Sequence, residues 1–351
     1  MKWSIFFLSI FFLSGTACEG KKKTKRKSSS LVQVAKIEDG IVQENITIKF
    51  DETQSYALYL PKGLDTGKRY PCLVFADPQG NGARPLHIYK ALADSFQVIL
   101  VGTNSSKNGL SFEQTDFFMA SLLKEVESRY PVQNNFSLCG HSGGAKVALH
   151  YASQHAHIHR VIYVGGVTAI NPIHPLKILG FAGLRDMNYA DLVVFLKMNK
   201  SDNLTNNLIE WNGKHYFPDA KTFVDGFLFI LDKEIPDFVS KQVSTSEEAL
   251  IFEQQEKQRF LEAFNSRSIV WWKNEVEKLR KKSKQDLVSE RLMGFISLAC
   301  YSFSTQSLNQ KDTEKADYVL QIYEMVDSKN EDMIRFKDAL AKLKSVTQEQ
   351  P

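Results

Sequence analysis

A serine flanked by glycines is the feature of this 351-residue sequence whose residue types and spacing most clearly suggest chemistry. Residues 140–144 read GHSGG, and they follow a short apolar run and precede a segment with helical spacing. A sharp strand-to-helix turn lifts a serine hydroxyl above the edge of a sheet, and glycines two residues away avoid clashes with the neighbouring strand and helix. We therefore predict that Ser142 is a nucleophile at a helix N-terminus, with an inert serine in a glycine-rich turn as the alternative.

A serine hydroxyl needs a base that takes its proton, and the base needs a third group that orients it. When the serine lies on such a turn, an acid and then a histidine follow it along the chain. Of the eight histidines only His215 follows the last predicted strand, and Asp186 lies in the loop after the preceding strand. We predict a catalytic triad of Ser142, Asp186 and His215, in which His215 moves the proton and Asp186 holds its ring. A helix-capping Asp186 and an ordinary loop histidine are the alternatives.

The oxyanion of a tetrahedral intermediate needs backbone N–H donors beside the nucleophile. Gly143, the residue after the serine, should supply one of them. The second should come from residues 77–82 (DPQGNG), where the proline has no N–H, so Gln79, Gly80 or Asn81 is the expected donor. An ordinary Pro/Gly turn is the alternative for this loop. Residues 104–109 (NSSKNG) follow another predicted strand and either line the pocket or form a simple turn.

The elements that must position these residues alternate between apolar strands and amphipathic helices. A hairpin of two strands comes first, and six strands with helices between them follow, which indicates a mostly parallel sheet flanked by helices over residues 46–231. The predicted strands are 46–50, 56–60, 72–76, 98–101, 136–139, 161–164, 178–181 and 208–211, and the predicted helices are near 86–95, 114–129, 143–154, 187–199 and 218–231.

Residues 46–231 resemble the α/β-hydrolase superfamily, in particular exported esterases similar to polyhydroxybutyrate depolymerases and feruloyl esterases. Four stretches carry the resemblance: 70–72 leading into 77–80, then 140–144, Gly183-x-x-Asp186 and 213–215. The resemblance implies hydrolysis of a carboxylic ester through an acyl-enzyme. Gln79 stands where many members have a histidine before the oxyanion-loop glycine. A serine peptidase of the same fold, and a binding lipoprotein that uses the fold as a scaffold, are the alternatives.

The first 45 residues carry the features of an export signal and a tether. Lys2 precedes an apolar stretch of eleven residues, 3–13, which is too short to span a bilayer and suits a signal peptide over residues 1–17. Cys18 then resembles the lipidated cysteine of a bacterial lipoprotein, although Gly15 stands where leucine is usual. Residues 18–45 would be the lipidated cysteine, a basic tether and a lead-in. We expect a lipid-anchored protein of the cell envelope, periplasmic or surface-facing, with plain secretion as the alternative.

The net charge of +4 belongs to this N-terminal segment and not to the rest of the chain. Seven of the 44 basic residues but only one of the 40 acidic residues lie in residues 1–27, so the remainder is slightly acidic. A nucleic-acid partner therefore has little support. The basic run beside a lipid anchor would add attraction to anionic headgroups, or would be only a solvated spacer.

Residues 232–351 lack strand patterns and predict helices near 246–264, 267–282, 286–307, 313–326 and 331–345. Ser244 with Glu247 resembles a capping box, and Asp312 and Asn330 are plausible N-caps. The 232–351 region is weakly similar to a tetratricopeptide hairpin. We expect it to pack on itself or on the preceding domain, with a protein-docking surface as the alternative.

No metal or organic cofactor is implied by the sequence. The histidines at 155, 157 and 159 could suggest a metal site, but the stretch contains no Cys, Asp or Glu that would complete a ligand set. A solvated loop is the expected role. The partner that the sequence implies is a small or polymeric ester substrate.

Overall fold

A computed structural model describes residues 38–235 and 243–348. The predicted signal peptide, Cys18 and the basic tether lie outside the described residues. Within the described part, an eight-stranded sheet with five helices is followed by five further helices. The predicted α/β architecture with a C-terminal all-helical region is therefore confirmed. None of the described helices is both long and apolar enough to cross a membrane.

The sheet has the strand order β1-β2-β4-β3-β5-β6-β7-β8. Strand β2 pairs antiparallel with both β1 and β4, and all other neighbours pair in parallel. The predicted hairpin followed by six parallel strands is confirmed. The strands are β1 (Val42–Ile48), β2 (Asp51–Tyr59), β3 (Tyr70–Ala76), β4 (Ile99–Thr103), β5 (Val132–His141), β6 (Ile158–Val164), β7 (Leu176–Gly183) and β8 (Leu204–Trp211).

Helices cover both faces of the sheet, which explains why its strands read as continuous apolar runs. Side chains of β3 alternate between the two faces: Cys72 and Val74 join one buried cluster, and Leu73 and Phe75 join the other. The first cluster packs under α2, α3 and α4, and the second under α1 and α5. These helices are α1 (Ala83–Phe96), α2 (Phe112–Arg129), α3 (Gly143–Gln154), α4 (Tyr189–Met198) and α5 (Val224–Ile230).

Predicted and observed boundaries differ most where polar residues belong to a strand. Strand β1 begins at Val42, four residues before its predicted start, and β5 begins at Val132 instead of residue 136. Of the four residues that β5 gains at this end, Val132 is buried, whereas Gln133, Asn134 and Asn135 are polar and half-buried or exposed. An apolar pattern marks only the buried part of such a strand. Helix α5 is shorter than predicted and begins at Val224.

Five helices form the C-terminal region around a third buried cluster, in which Phe260, Phe264 and Trp272 pack together. This region packs on itself and also on the α/β part, through α6 against α4. The helices are α6 (Glu247–Ser266), α7 (Ile269–Lys282), α8 (Leu287–Asn309), α9 (Thr313–Val326) and α10 (Glu331–Gln348).

The helix caps correct one prediction and confirm two. Ser246, and not Ser244, caps α6, because its side chain accepts a hydrogen bond from the N–H of Ala249 at 3.3 Å. The N–H of Ser244 instead donates to the Glu210 carboxylate of β8, which draws this residue toward the sheet. Asp312 and Asn330 cap α9 and α10 as predicted.

Candidate active site

Ser142 lies between β5 and α3 in a strained backbone conformation, with φ of 53° and ψ of −118°. A positive φ is uncommon for a non-glycine residue and persists only where surrounding structure enforces it. The N–H of Ser142 donates to the carbonyl of Val164 in β6 at 2.8 Å. A Cβ on Gly140 would collide with the carbonyl oxygen of Gly144, and a Cβ on Gly144 with that of Ala76. Both glycines are therefore required for the turn, as the sequence predicts.

Ser142, His215 and Asp186 are brought together in one hydrogen-bonded chain. His215 Nε2 lies 2.9 Å from Ser142 Oγ, and His215 Nδ1 lies 2.9 Å from Asp186 Oδ1. A proton on Nδ1 is donated to the carboxylate, which leaves Nε2 to accept the serine proton. The Asp186 side chain is only 2% exposed, whereas that of His215 is 19% exposed and can meet a ligand.

The loops that carry the acid and the histidine are joined by their backbones. Asp186 follows β7, and its N–H donates to the carbonyl of Gly183 at 2.9 Å. The N–H of Arg185 donates to the carbonyl of Gly213 in the histidine loop, also at 2.9 Å. Asp186 Oδ1 additionally accepts from the N–H of Asn188 at 2.8 Å, so the carboxylate orders its own turn as well as His215.

Two glycines after β6 belong to the site and were not predicted. Gly165 has φ of +59°, and a Cβ there would lie 2.7 Å from Asp186 Oδ2 and 3.0 Å from His215 Nδ1. A Cβ on Gly166 would collide with the carbonyl of Ser142. The Asn188 side chain donates to the carbonyl of Gly165 at 2.8 Å. A glycine pair at the carboxyl end of a predicted strand beside the nucleophile was the signal that could have found them.

His141 packs its ring against His215, with ring centroids 4.7 Å apart. Burial, and then the neighbouring charges of His215 and Arg84, lower the pKa of His141 to about 3. Among the described residues neither ring nitrogen of His141 has a hydrogen-bond partner. The ring is therefore neutral near neutral pH, and it places no positive charge against an imidazolium on His215.

Gly143, the first predicted oxyanion donor, begins α3, whereas the N–H groups of the predicted second donors are engaged within their own turn. As the first residue of α3, Gly143 has an N–H without an intrahelical acceptor. The N–H groups of Gln79 and Asn81 both point at Asp77 Oδ1, at 2.8 and 3.4 Å. The N–H of Gly80 donates to the Asp77 carbonyl at 3.1 Å. The buried Asp77 carboxylate thus collects the donors of its own turn, which the sequence pattern did not reveal.

The 104–109 loop reaches the nucleophile through Asn108. Its N–H donates to the carbonyl of Pro78 at 2.8 Å, and a Cβ on Gly143 would collide with its side-chain amide. Asn108 therefore lies beside Gly143, the predicted first oxyanion donor, in accordance with the pocket-lining alternative for this loop.

No set of three His, Cys, Asp or Glu side chains within residues 38–235 and 243–348 is placed to hold a metal ion. His155 and His157 lie in the turn between α3 and β6 and His159 in β6, and the ring of His155 stacks on Tyr151 with centroids 4.0 Å apart.

Comparison with solved structures gives similarities to esterases and serine hydrolases over about half of this chain. Est1E from Butyrivibrio proteoclasticus is 13% identical with a TM-score of 0.43, covering 54% of this chain and 98% of that one. The fluorophosphonate-binding serine hydrolase FphF from Staphylococcus aureus is 12% identical with a TM-score of 0.46, covering 55% and 99%. Esterase B from Lactobacillus rhamnosis is 13% identical with a TM-score of 0.45, covering 56% and 89%. No protein-family model and no curated protein matches the sequence.

The strand order, the antiparallel second strand and the strand–turn–helix at Ser142 define the class of the molecule: the chain has the α/β-hydrolase fold. Fold alone does not establish an activity. The chemistry is therefore argued below from the geometry of the site.

Proposed function

We propose that this chain is an exported serine hydrolase that cleaves a carboxylic ester through an acyl-enzyme. Ser142 is the nucleophile, His215 the general base and acid, and Asp186 the residue that orients the imidazole. One observation carries the proposal: the unbroken chain from Asp186 Oδ1 through both nitrogens of His215 to Ser142 Oγ, with 2.9 Å at each step. This geometry puts a base within reach of the proton that it must take.

In the proposed reaction, Ser142 Oγ attacks the ester carbonyl while His215 Nε2 takes its proton. The oxyanion of the resulting tetrahedral intermediate accepts from the N–H of Gly143, at the positive end of the α3 dipole. His215 then gives the proton to the departing alcohol, which leaves an acyl group on Ser142. Water attacks that acyl group with His215 again as base, and the carboxylic acid leaves. Asp186 stabilises the imidazolium throughout.

The test is the reactivity of Ser142 itself. We expect the protein to react with a fluorophosphonate probe and to hydrolyse an activated short-chain ester. Ser142→Ala should lose labelling completely and lower kcat by more than about 1,000-fold, because residual catalysis comes from the oxyanion donors and binding alone. Its melting temperature should stay close to that of the parent. Full activity in the Ser142→Ala variant would refute the assignment.

A substrate panel distinguishes the proposed esterase from its alternatives. Esters of short and long acyl chains and of aryl alcohols, including those resembling the substrates of polyhydroxybutyrate depolymerases and feruloyl esterases, should be cleaved faster than matched amides. Faster cleavage of amides would indicate a peptidase. Failure of the folded chain to label or to cleave any of them would favour a binding lipoprotein that uses the fold as a scaffold.

Export and lipid anchoring form the second part of the proposal. The apolar segment 3–13, the small residues that follow it and Cys18 support a signal peptide of residues 1–17 and a lipidated cysteine. Expressed in a bacterial host, the chain should incorporate an alkyne-tagged fatty acid and sediment with membranes. Cys18→Ala should abolish incorporation. Soluble, unlabelled parent protein in the culture medium or periplasm would instead indicate plain secretion.

A further inference from the structure

One carboxylate of the C-terminal region contacts both loops of the proposed triad. Glu290, in the first turn of α8, forms an ion pair with Arg185, which directly precedes Asp186. The other oxygen of the same carboxylate lies 3.4 Å from Lys214 Nζ, and Lys214 directly precedes His215. Glu290 therefore joins the residue before the acid to the residue before the base.

The next residue of α8 fixes the acid loop from the buried side. Arg291 Nη1 donates to the carbonyl of Leu184 at 2.8 Å. Its guanidinium pairs with Glu253 of α6 through contacts down to 2.6 Å, and it lies 4.5 Å from the ring centroid of Tyr189 in α4. The Arg291 side chain is 2% exposed and that of Glu253 is fully buried, so the pair holds a fixed geometry without competition from water.

Close backbone packing completes the contact between α8 and the acid loop. A Cβ on Gly294 would lie 3.3 Å from the Cβ of Met187, so this turn of α8 lies directly against the residue after Asp186. Leu184, Arg185 and Met187 are thus all contacted from α8, and they enclose Asp186 along the chain.

We propose that α8 is a clamp that positions the acid and base of the α/β-hydrolase part, with Glu290 and Arg291 as positioning residues. This inference rests on the proposed function. The two loops meet through the hydrogen bond from Arg185 to Gly213, and Glu290 adds charged contacts to both beside it. A misplacement of about 1 Å in a catalytic constellation costs on the order of 100-fold in rate. The clamp therefore acts on kcat through the Asp186–His215–Ser142 geometry, while substrate binding is left nearly unchanged.

The decisive variant is Glu290→Ala, with Glu275→Ala as its matched control. The Glu275 carboxylate has a similar exposure, 17% against 20%, and also pairs with two basic residues, Arg259 and Lys278. Those partners lie in α6 and α7, so the control removes the same kind of ion pair without touching either loop. We expect Glu290→Ala to lower kcat by about tenfold with little change in KM, and Glu275→Ala to alter neither.

Three further variants separate positioning from stability. Glu290→Gln keeps the side-chain length and an accepting oxygen, and it should restore most of kcat. Arg185→Ala should lower kcat in the same direction, and the double variant Arg185→Ala/Glu290→Ala should lose less than the product of the single losses, because both act through one contact. The melting temperature of each variant, compared with Glu275→Ala, shows whether it is folded.

The outcomes distinguish the clamp from the proposed function. If the parent chain neither labels at Ser142 nor cleaves esters, the proposed function fails and the clamp fails with it. If the parent is active and Glu290→Ala matches Glu275→Ala in kcat, only the clamp is refuted. A loss that appears in KM alone, or that Glu290→Gln does not restore, also refutes it.

Discussion

The α/β part and the C-terminal helices hold their important residues by different means. Around Ser142, neighbouring backbone segments are in close contact and hold the serine in place. Gly140, Gly144 and Gly166 lie where any Cβ would strike a carbonyl oxygen. In the helical region, position is set by buried and half-buried charges, chiefly Arg291 with Glu253. The first kind of constraint permits only glycine and so leaves a mark in the sequence, whereas the second uses residue types that also occur on any solvated helix.

The largest effect on the reactivity of Ser142 should come from breaking the backbone constraint. Gly144→Ala places a Cβ against the carbonyl of Ala76 in β3, so strand and helix must move apart and Ser142 must leave its strained position. We expect a cost of about 1–3 kcal/mol in the free energy of unfolding and a loss of about 100-fold or more in the rate of fluorophosphonate labelling. Denaturant unfolding and labelling kinetics measure the two quantities.

Gly67→Ala is the control for this prediction. Gly67 lies in an exposed turn, its φ is not positive, and a Cβ there would meet only a side-chain oxygen of Asp65 at 3.2 Å. Labelling of Gly67→Ala should match the parent. An unchanged labelling rate in Gly144→Ala would show that the α/β part does not hold Ser142 through close backbone contact.

The second prediction tests the buried ion pair of Arg291 with Glu253. Arg291→Met leaves Glu253 buried without its main partner and the Leu184 carbonyl without its donor. We expect a loss of about 3–5 kcal/mol in the free energy of unfolding, measured by urea denaturation, because a buried charge that loses its main partner is costly, and Lys257 remains only at 3.9 Å. Adding Glu253→Met should recover much of this loss, since an apolar pair can replace a buried ion pair.

Arg335→Met serves as the comparison for Arg291→Met. Arg335 pairs with Asp332 on the surface, where its side chain is 64% exposed, and such pairs contribute about 0–1 kcal/mol. Equal losses of unfolding free energy in the two variants would mean that the buried Arg291–Glu253 pair does not stabilise the helical region.

The same contrast explains how far the sequence predicts this molecule. The hairpin with six following parallel strands, the turn at Ser142 and the loops of Asp186 and His215 follow from apolar periodicity, glycine spacing and chain order. Exposed strand residues such as Asn134 carry no apolar signal, so β5 was predicted too short.

Tertiary partners account for what the sequence did not predict. The N–H groups of Gln79 and Asn81 were expected to face an oxyanion, but Asp77 lies two and four residues before them and accepts both. Ser244 and Ser246 both match a cap pattern, and the choice depends on Glu210, a distant residue of β8. Likewise nothing in the spacing of Glu290 indicates that its partners are Arg185 and Lys214.

The smallest effect at pH 7 concerns the buried His141, whose ring nitrogens have no hydrogen-bond partner among the described residues. The α/β part buries His141 with a pKa lowered to about 3, against 6.5 for an ordinary histidine. Between these values the unfolded chain binds a proton that the folded chain does not. The contribution of His141 to stability is therefore complete above pH 6.5 and is lost as the pH falls toward 3. The expected slope is about 1.4 kcal/mol per pH unit at most.

His141→Phe removes the titrating group and keeps a ring of similar size against His215 and Phe217. Urea unfolding at several values from pH 7 down to pH 4.5 should show a shallower loss of stability in this variant than in the parent. If His141→Phe keeps the parental slope, the α/β part does not hold a neutral imidazole beside its proposed base. The α/β part would then not differ from the helical region, in which buried charges are paired, by burying a neutral imidazole at His141.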